Sequence, residues 1–355
     1  MFKNKRHIRF FLKAFFISTS VLSAIAGIGT YGWFYINNAI SPPVVPNISV
    51  VAIQPNSSSS NSVTTTSYDL YDKLQRPELI QFEARKPNFF TFLLFGLTDG
   101  NHANTIMVAA YDADTRQGYL ISIPRDTRVD FQRTRRKIVN AYLVGFSGGR
   151  GHDGGVERMM HEVSTLIGFR PDFYISIDYD AFVSLVDMIG GVEINVPFHM
   201  LYDDPYQNLH INIPAGLQVL DGHNALHFAR YRMGNDRHQT ISDYQRIEHQ
   251  QQVLSAVARE LLAPASILRI PEFINIFNTY VDSDLTMGNL TWFANQARHI
   301  GGLDSLHMYT LPMHGTSGAP FWYELADEAG IIELVNRTVN PLVRDITSND
   351  LRIVR

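Results

Sequence analysis

The distribution of apolar residues predicts an α/β fold for most of the chain. Residues 89–95 form an apolar run, with Thr91 as its one polar residue, that ends before Gly96, which is typical of a strand buried on both faces of a sheet. Further apolar runs predict strands over residues 105–111, 119–123, 173–177, 192–196 and 306–311. Apolar residues at helical spacing predict helices over residues 156–167, 180–189, 242–262, 266–280, 287–300 and 330–339. Because strands and helices alternate, we expect a central mixed β-sheet flanked by helices, in one domain spanning residues 87–355.

A different pattern precedes this domain. Residues 14–36 are uncharged and mostly apolar, which is long enough for a helix that crosses a bilayer. Basic residues on its N-terminal side predict a cytoplasmic tail over 1–13 and an extracytoplasmic main domain, as in a single-pass protein of the cell membrane. These residues are Lys3, Lys5, Arg6, Arg9 and Lys13. A cleaved signal peptide is the alternative, but the apolar run is longer than is usual there, and Thr30-Tyr-Gly-Trp33 is a poor cleavage site.

Residues 37–86 would connect the membrane span to the domain. Residues 37–66 are rich in Pro, Ser, Asn and Thr, a composition that favours a flexible extracytoplasmic stalk. We expect residues 68–86 to form a short helix at the edge of the domain.

The charge distribution and the absence of cysteine argue against some classes of binding partner and chemistry. The net charge is −4, and the five basic residues before Asn37 have no acidic neighbour, so removing their five positive charges leaves −9 for the remainder. An acidic body argues against nonspecific binding of nucleic acid. The chain has no cysteine, which excludes disulfides, thiol catalysis and cysteine-based zinc sites.

Polar residues interrupt the inward face of the predicted helix over 242–262. On a helical wheel, Asp243, Arg246 and Gln250 share a side with three apolar residues, Leu254, Val257 and Leu261. The opposite side carries Glu248, Gln252, Ser255 and Arg259 and is expected to face water. Polar groups on an inward face are costly unless something satisfies them, and a ligand could do so.

Further arginines and acids are predicted near the same helix start. Arg230 and Arg232 are two residues apart, so on an extended segment both would point the same way. Arg125 and Asp126 directly follow a predicted strand, where ligands bind in open α/β sheets. Arginines beside a helix N-terminus favour a phosphate or carboxylate ligand. Ordinary salt bridges, or an ion pair that closes a turn, are the alternative for each of these residues.

Several ordered motifs resemble the LytR-CpsA-Psr family of bacterial envelope proteins. They are Ser122-Ile-Pro-Arg-Asp-Thr-Arg-Val129, Lys137-Ile-Val-Asn140, Gly190-Gly-Val-Glu-Ile-Asn-Val196, Gly216-Leu-Gln-Val-Leu-Asp-Gly222, Ala225-Leu-His-Phe-Ala-Arg-Tyr-Arg232 and Asp243-Tyr-Gln-Arg-Ile-Glu-His-Gln-Gln251. The resemblance implies an α/β domain with a long apolar pocket for a polyprenyl chain. It also implies arginines that hold the pyrophosphate with Mg²⁺, or another divalent cation, at the mouth of this pocket. The matching phosphate-binding residues are Arg125, Arg230, Arg232 and Arg246, with Asp126, Asp243 and Gln250 as further substrate-binding residues.

The chain departs from the family's pattern at the expected metal site. Thr98 stands where the family usually has an Asp, and Asp99 follows one residue later. His102 and Asn104 stand where the family has an Arg and a metal-ligating Asp, and His249 stands in place of a later Arg. Asp99 and Asn104 are the candidate metal ligands, although a turn-forming role for Asp99 is the alternative.

The resemblance implies transfer of a glycopolymer phosphate from undecaprenyl pyrophosphate to a peptidoglycan hydroxyl, in a phosphotransferase anchored at the membrane. Two alternatives stay open, the first of them because of these departures. One is a catalytically impaired protein that binds polyprenyl pyrophosphates as a carrier or scaffold. The other is a hydrolase that uses water as the acceptor.

Overall fold

The computed structural model describes eleven ranges of the chain. These are residues 42–45, 48–52, 80–98, 101–130, 136–206, 209–235, 239–263, 270–297, 299–300, 302–317 and 322–354. The predicted cytoplasmic tail and the predicted membrane span over 14–36 lie outside these ranges. Within them, no helix combines the length and the apolar character that crossing a membrane requires.

The chain divides into two compact units. One unit contains Met1–Pro43 together with Thr286–Phe293, and the other contains Val44–Leu285 and Ala294–Arg355. The strands are β1 (Ile48–Ala52), β2 (Ile80–Ala84), β3 (Phe89–Thr98), β4 (His102–Asp112), β5 (Gln117–Ser122), β6 (Phe173–Ile177), β7 (Val192–Val196), β8 (Met200–Asp204), β9 (Leu209–Ile213), β10 (Gly216–Leu220), β11 (Val281–Ser283), β12 (Leu306–Thr310), β13 (Met313–Thr316) and β14 (Glu324–Ala326). The helices are α1 (Ala141–Gly145), α2 (Gly151–Ile167), α3 (Tyr179–Met188), α4 (Gly222–Arg230), α5 (Asp243–Leu262), α6 (Ile270–Tyr280), α7 (Met287–Ala297) and α8 (Glu328–Arg337).

A six-stranded sheet organises the larger unit, with strand order β11-β6-β3-β4-β5-β12. Strand β3 pairs in parallel with β6 and antiparallel with β4, which is antiparallel to β5, while β12 is parallel to β5. Strands β3, β5, β6 and β12 therefore run in one direction, and their carboxyl ends lie at one edge of the sheet. This confirms the predicted mixed sheet.

Two apolar clusters pack around these elements. In the first, sheet residues such as Leu93 and Ile106 are buried together with Met159 of α2 and Val335 of α8. In the second, Val253 of α5 is buried with residues of α3, α4, β7 and β9. The helices therefore flank the sheet, as the alternating pattern predicts.

Helix α5 buries a face slightly rotated from the predicted one. Its buried residues include Arg246, His249, Val253, Ala256 and Val257, which recur at the spacing of one helical side. Leu254, Leu261 and Gln250 are half-buried. The predicted wet residues Glu248, Gln252 and Arg259 are exposed, and Ser255 is half-buried.

The segment before the domain differs from the prediction where it is described. Residues 48–52, expected in a flexible stalk, form β1 and pair antiparallel with β2. The predicted helix over 68–86 is wrong at its C-terminal part, because Ile80–Ala84 is a strand. Residues 53–79 lie outside the described ranges.

Candidate functional site

Arg125, in the loop after β5, is connected by hydrogen bonds to β4 and, through β4, to the end of β3. The loop begins with a turn in which the Thr127 amide donates to the Pro124 carbonyl at 3.0 Å. This places the guanidinium of Arg125 against β4, where Nη1 donates to Oδ1 of Asn104 at 2.9 Å. Nδ2 of Asn104 in turn donates to Oγ1 of Thr98, the last residue of β3, at 3.2 Å. Arg125 is thus anchored at the sheet edge where the parallel strands end.

The first turn of α5 brings a carboxylate to this arginine. Ser242 caps the helix, because its hydroxyl accepts from the Gln245 amide at 3.2 Å while Oε1 of Gln245 accepts from the Ser242 amide at 2.9 Å. Asp243 follows the cap, and its Oδ2 lies 3.6 Å from Nε of Arg125. The cap therefore fixes the position of Asp243.

Three arginines from separate segments share the carboxylate of Asp243. Besides Arg125, Nη2 of Arg246 lies 3.5 Å from Oδ1, and Nε of Arg232 lies 3.9 Å from the same atom. The Arg246 side chain is only 8% exposed, whereas that of Arg232 is 52% exposed. We call Arg125, Arg232, Arg246 and Asp243 the arginine cluster. It carries three positive charges against one negative charge and is therefore suited to an anion.

The arginine cluster leaves polar atoms unsatisfied. Among the described residues, Nε of Arg125, Nε of Arg246 and Oδ1 of Asp243 are buried without a hydrogen-bond partner. Burial, together with the charges of Arg125 and Arg232, lowers the pKa of Arg246 to about 10 against the opposing effect of Asp243. A buried donor without a partner is costly, so an anion with several oxygens would stabilise this arrangement.

Arg230 does not occupy the predicted extended segment. It is the last residue of α4, and Tyr231 is the buried C-cap, so the expectation that Arg230 and Arg232 project together is wrong. The guanidinium of Arg230 lies 4.3 Å from the ring centroid of Tyr179, the first residue of α3 after β6. Arg230 is therefore near the carboxyl end of β6, which β3 and β4 separate from β5.

The other predicted polar residues have structural partners or remain half-buried. Asp126 forms an ion pair with Lys137, whose Nζ lies 2.9 Å from Oδ2. Gln250 is half-buried on α5. Its neighbour Gln251 donates from Nε2 to Oγ of Ser122 at 3.0 Å and to the Tyr309 carbonyl at 3.1 Å. Gln251 thus ties α5 to strands β5 and β12.

His249 stands where the family has an arginine, and the structure buries it. Its ring stacks on Phe228 with centroids 4.4 Å apart, and burial lowers its pKa. A neutral, buried histidine contributes packing between α4 and α5 and no positive charge.

The described residues do not by themselves fit a metal ion. Asp99 lies outside the described ranges, and Oδ1 of Asn104 already accepts from Arg125. No group of three His, Asp or Glu side chains suited to a metal occurs among the residues that the structure describes. The Mg²⁺ expectation stays a prediction that depends on Asp99.

Two residues beside the arginine cluster were not anticipated. The hydroxyl of Tyr244 donates to Oε2 of Glu324 at 3.2 Å. The Glu324 backbone amide donates to the Asp126 carbonyl at 3.0 Å, and its carbonyl accepts from the Arg128 amide at 2.9 Å. Tyr244 lies inside a recognised motif, but Glu324 is 80 residues away in an unremarkable stretch, so no sequence signal indicates it.

A cavity of about 560 Å³ lies along the exposed side of α5. Apolar residues of β7 and β12 contribute to its lining, together with Glu193, Glu248 and Arg259. The charged residues distinguish it from the long apolar pocket that the resemblance implies, and no residue of the arginine cluster lines it. The polyprenyl pocket therefore stays a prediction.

Comparisons with known proteins give a consistent result. The sequence model of the LytR_cpsA_psr family matches residues 55–338. Regulatory protein MsrR of Staphylococcus aureus is 26% identical over 188 residues, which are 52% of this chain and 52% of MsrR. TagV of Bacillus subtilis, named polyisoprenyl-teichoic acid–peptidoglycan teichoic acid transferase, is 24% identical over 278 residues, 74% of this chain and 66% of TagV. The chain thus spans about half the length of MsrR in this match.

Solved structures share the fold. The crystal structure of B. subtilis TagV superposes with a TM-score of 0.57 at 22% identity, covering 71% of this chain and 96% of that one. The structure of TagT bound to LIIa-WTA gives a TM-score of 0.56 at 17% identity, covering 72% of this chain and 91% of that one.

Proposed function

The chain belongs to the LytR-CpsA-Psr family, and from this premise we propose that it is a membrane-anchored phosphotransferase. The donor would be a glycopolymer on a polyprenyl, specifically undecaprenyl, pyrophosphate. The acceptor would be a peptidoglycan hydroxyl, and the product a phosphodiester link. The observation that carries this proposal is the convergence of Arg125, Arg232 and Arg246 on one carboxylate, which leaves an excess of positive charge.

The geometry suits this reaction class. Phosphoryl transfer depends mainly on positioning and on neutralising charge at the phosphate oxygens. The buried Nε atoms of Arg125 and Arg246 have no hydrogen-bond partner among the described residues, so each arginine would gain a bond if a pyrophosphate oxygen reached this atom. Arg232, which is half exposed, can rotate towards a bound phosphate or towards the leaving group.

The named relatives and the sequence support the proposed donor, acceptor and membrane location. TagV is named as a transferase that moves teichoic acid from a polyisoprenyl carrier to peptidoglycan. We propose the same classes of donor and acceptor here. The apolar run over 14–36 supports an anchor in the cell membrane with the main domain outside, where a carrier lipid and peptidoglycan would both be within reach.

A divalent cation, Mg²⁺ or another, remains a proposed cofactor. Its binding would depend on Asp99, because Asn104 already holds Arg125. The proposed reaction therefore relies on the arginines to neutralise the pyrophosphate.

The test is a transfer assay with the full chain in detergent. A fluorescent lipid-linked glycopolymer is incubated with peptidoglycan, with and without Mg²⁺, and polymer bound to the wall fragment is measured. We expect transfer by the unchanged chain and a loss of at least about 100-fold for Arg246→Ala, because one removed charge-stabilising donor commonly costs this much. Arg259→Ala removes an exposed arginine from the same helix and should retain transfer.

Two results would contradict the proposal. Absence of transfer by the unchanged chain across several metals and pH values would refute it. Equal activity of Arg246→Ala and Arg259→Ala would move the site away from the arginine cluster.

A carrier or scaffold without turnover is the second candidate, and Asn104 is the observation that favours it. An amide at this position pairs with Arg125 where a carboxylate would serve as a metal ligand. This candidate predicts lipid pyrophosphate binding without transfer, and no gain of transfer in the double variant His102→Arg with Asn104→Asp. Transfer that appears only in the double variant would show that the lost carboxylate disables the unchanged chain.

A further inference from the structure

Strand β14 places one carboxyl group at the border of the arginine cluster. Both backbone groups of Glu324 bond to the loop that carries Arg125: its amide donates to the Asp126 carbonyl, and its carbonyl accepts from the Arg128 amide. Its side chain reaches across to α5, where Oε2 accepts from the hydroxyl of Tyr244 at 3.2 Å. Tyr244 directly follows Asp243. Glu324 therefore joins the two segments that supply Arg125 and Asp243.

The other carboxylates of this region are committed to cations. Asp243 lies within ion-pair distance of three arginines, at 3.5 to 3.9 Å. Asp126 is paired with Lys137 at 2.9 Å. Glu324, in contrast, has a neutral phenol as its hydrogen-bond partner, and no described cation lies within ion-pair distance of it.

Resting on the proposed transfer reaction, we propose that Glu324 is the general base that accepts the proton of the acceptor hydroxyl. As the hydroxyl oxygen forms its bond to the donor phosphorus, its proton passes to a carboxylate oxygen of Glu324. The bond between that phosphorus and the bridging oxygen of the pyrophosphate breaks, and its electron pair leaves with polyprenyl phosphate. Arg125, Arg232 and Arg246 stabilise the charge on the phosphates, and Glu324 returns the proton to solvent or to the leaving phosphate.

The environment of Glu324 suits this role. Burial raises its pKa above the ordinary value, and the nearby charges of Asp126 and Asp243 raise it further. The hydrogen bond from Tyr244 and the charge of Lys137 act in the opposite direction. A carboxylate with a raised pKa is a stronger base than an exposed one.

The test compares Glu324→Gln with Glu324→Asp in the transfer assay. Loss of a general base costs about 100-fold or more, so we expect Glu324→Gln to lose at least this factor in transfer rate at saturating acceptor. Glu324→Asp should recover part of it. Binding of inorganic pyrophosphate, measured by calorimetry, should change less than about twofold in both variants, since the arginines are intact.

A second variant provides a readout that a structural role would not give. Tyr244→Phe removes the hydrogen bond that lowers the pKa of Glu324, so this pKa should rise. The base must be ionised to act, and activity therefore falls as pH drops through its pKa. We expect the acid limb of the pH–rate profile to move to higher pH in Tyr244→Phe and to disappear from the residual activity of Glu324→Gln.

The outcomes separate this inference from the proposed function. Transfer by the unchanged chain with an equal rate in Glu324→Gln overturns the inference and leaves the proposed function standing. A parallel loss of pyrophosphate binding and transfer in Glu324→Gln also overturns it, because the residue would then shape the binding site. Absence of transfer by the unchanged chain refutes the proposed function, and the inference with it.

Discussion

At the scale of single residues, Asp243 supplies the one negative charge that partly offsets the three guanidiniums of the arginine cluster. Arg246 is almost fully buried, and its nearest counter-charge is Asp243 at 3.5 Å. Removing one partner of a buried ion pair usually costs several kcal/mol, because the remaining charge is left uncompensated. Asp243 is itself 21% exposed, so water screens part of this effect.

Asp243→Asn should therefore have opposite effects on folding and on anion binding. We expect the free energy of unfolding to fall by about 1–3 kcal/mol, since three guanidiniums then repel one another. Bound pyrophosphate should restore more stability to the variant than to the unchanged chain, because it replaces the lost negative charge. Thermal unfolding with and without pyrophosphate measures both effects. Equal stabilisation by pyrophosphate in the two proteins would show that Asp243 does not oppose the ligand.

At the scale of elements, the N-terminus of α5 sets the position of two cluster residues. The reciprocal bonds between Ser242 and Gln245 satisfy backbone amides of the first turn, which contains Asp243 and precedes Arg246. Stability of the cap and geometry of the site are thus properties of the same few residues.

Ser242→Ala should lower the free energy of unfolding by about 1 kcal/mol, the usual cost of losing an N-cap hydroxyl. We also expect weaker pyrophosphate binding, because the first turn would fray and Arg246, which directly follows it, would lose its fixed position. Urea unfolding and calorimetry check the two effects. Ser242→Thr keeps a capping hydroxyl and serves as the control; if it weakens binding as much as Ser242→Ala does, the cap is not the cause.

The strands and long helices could be predicted from the sequence because their apolar patterns are strong. The apolar run over 89–95 is part of β3, which continues to Thr98, where the Thr98 hydroxyl accepts a hydrogen bond from Asn104. The predicted strand over 192–196 is confirmed, but it pairs with β10 in a separate two-stranded sheet. Strand β14 has only three residues, too few to produce a clear period.

The arginine cluster could be predicted only in part. Arg125, Arg232 and Arg246 meet at Asp243, as expected from their positions after a strand and at a helix start. Arg230 departs from the expected geometry because α4 extends through it, and helix ends are poorly marked in sequence. Glu324 reaches the site through strand pairing with the Arg125 loop, a long-range contact that no local pattern indicates.

At the scale of the whole molecule, the basic residues before the apolar run over 14–36 support the proposed topology. Cells that produce the chain with a C-terminal epitope tag should lose the tag when protease is added outside, because the main domain would be exposed there. A cytoplasmic marker protein must stay intact in the same cells. Protection of the tag until the cells are lysed would contradict the topology.

Gln251 has a consequence for how the molecule selects its ligand. Its amide joins α5 to Ser122 and Tyr309, so the helix that carries Arg246 and the strand that leads to Arg125 cannot slide independently without breaking hydrogen bonds. These bonds therefore restrain the spacing between the two guanidiniums. A site whose two arginines are held at a restrained distance binds ligands of matching length best, so a diphosphate would be preferred over a single phosphate. Removing the Gln251 amide would weaken this preference.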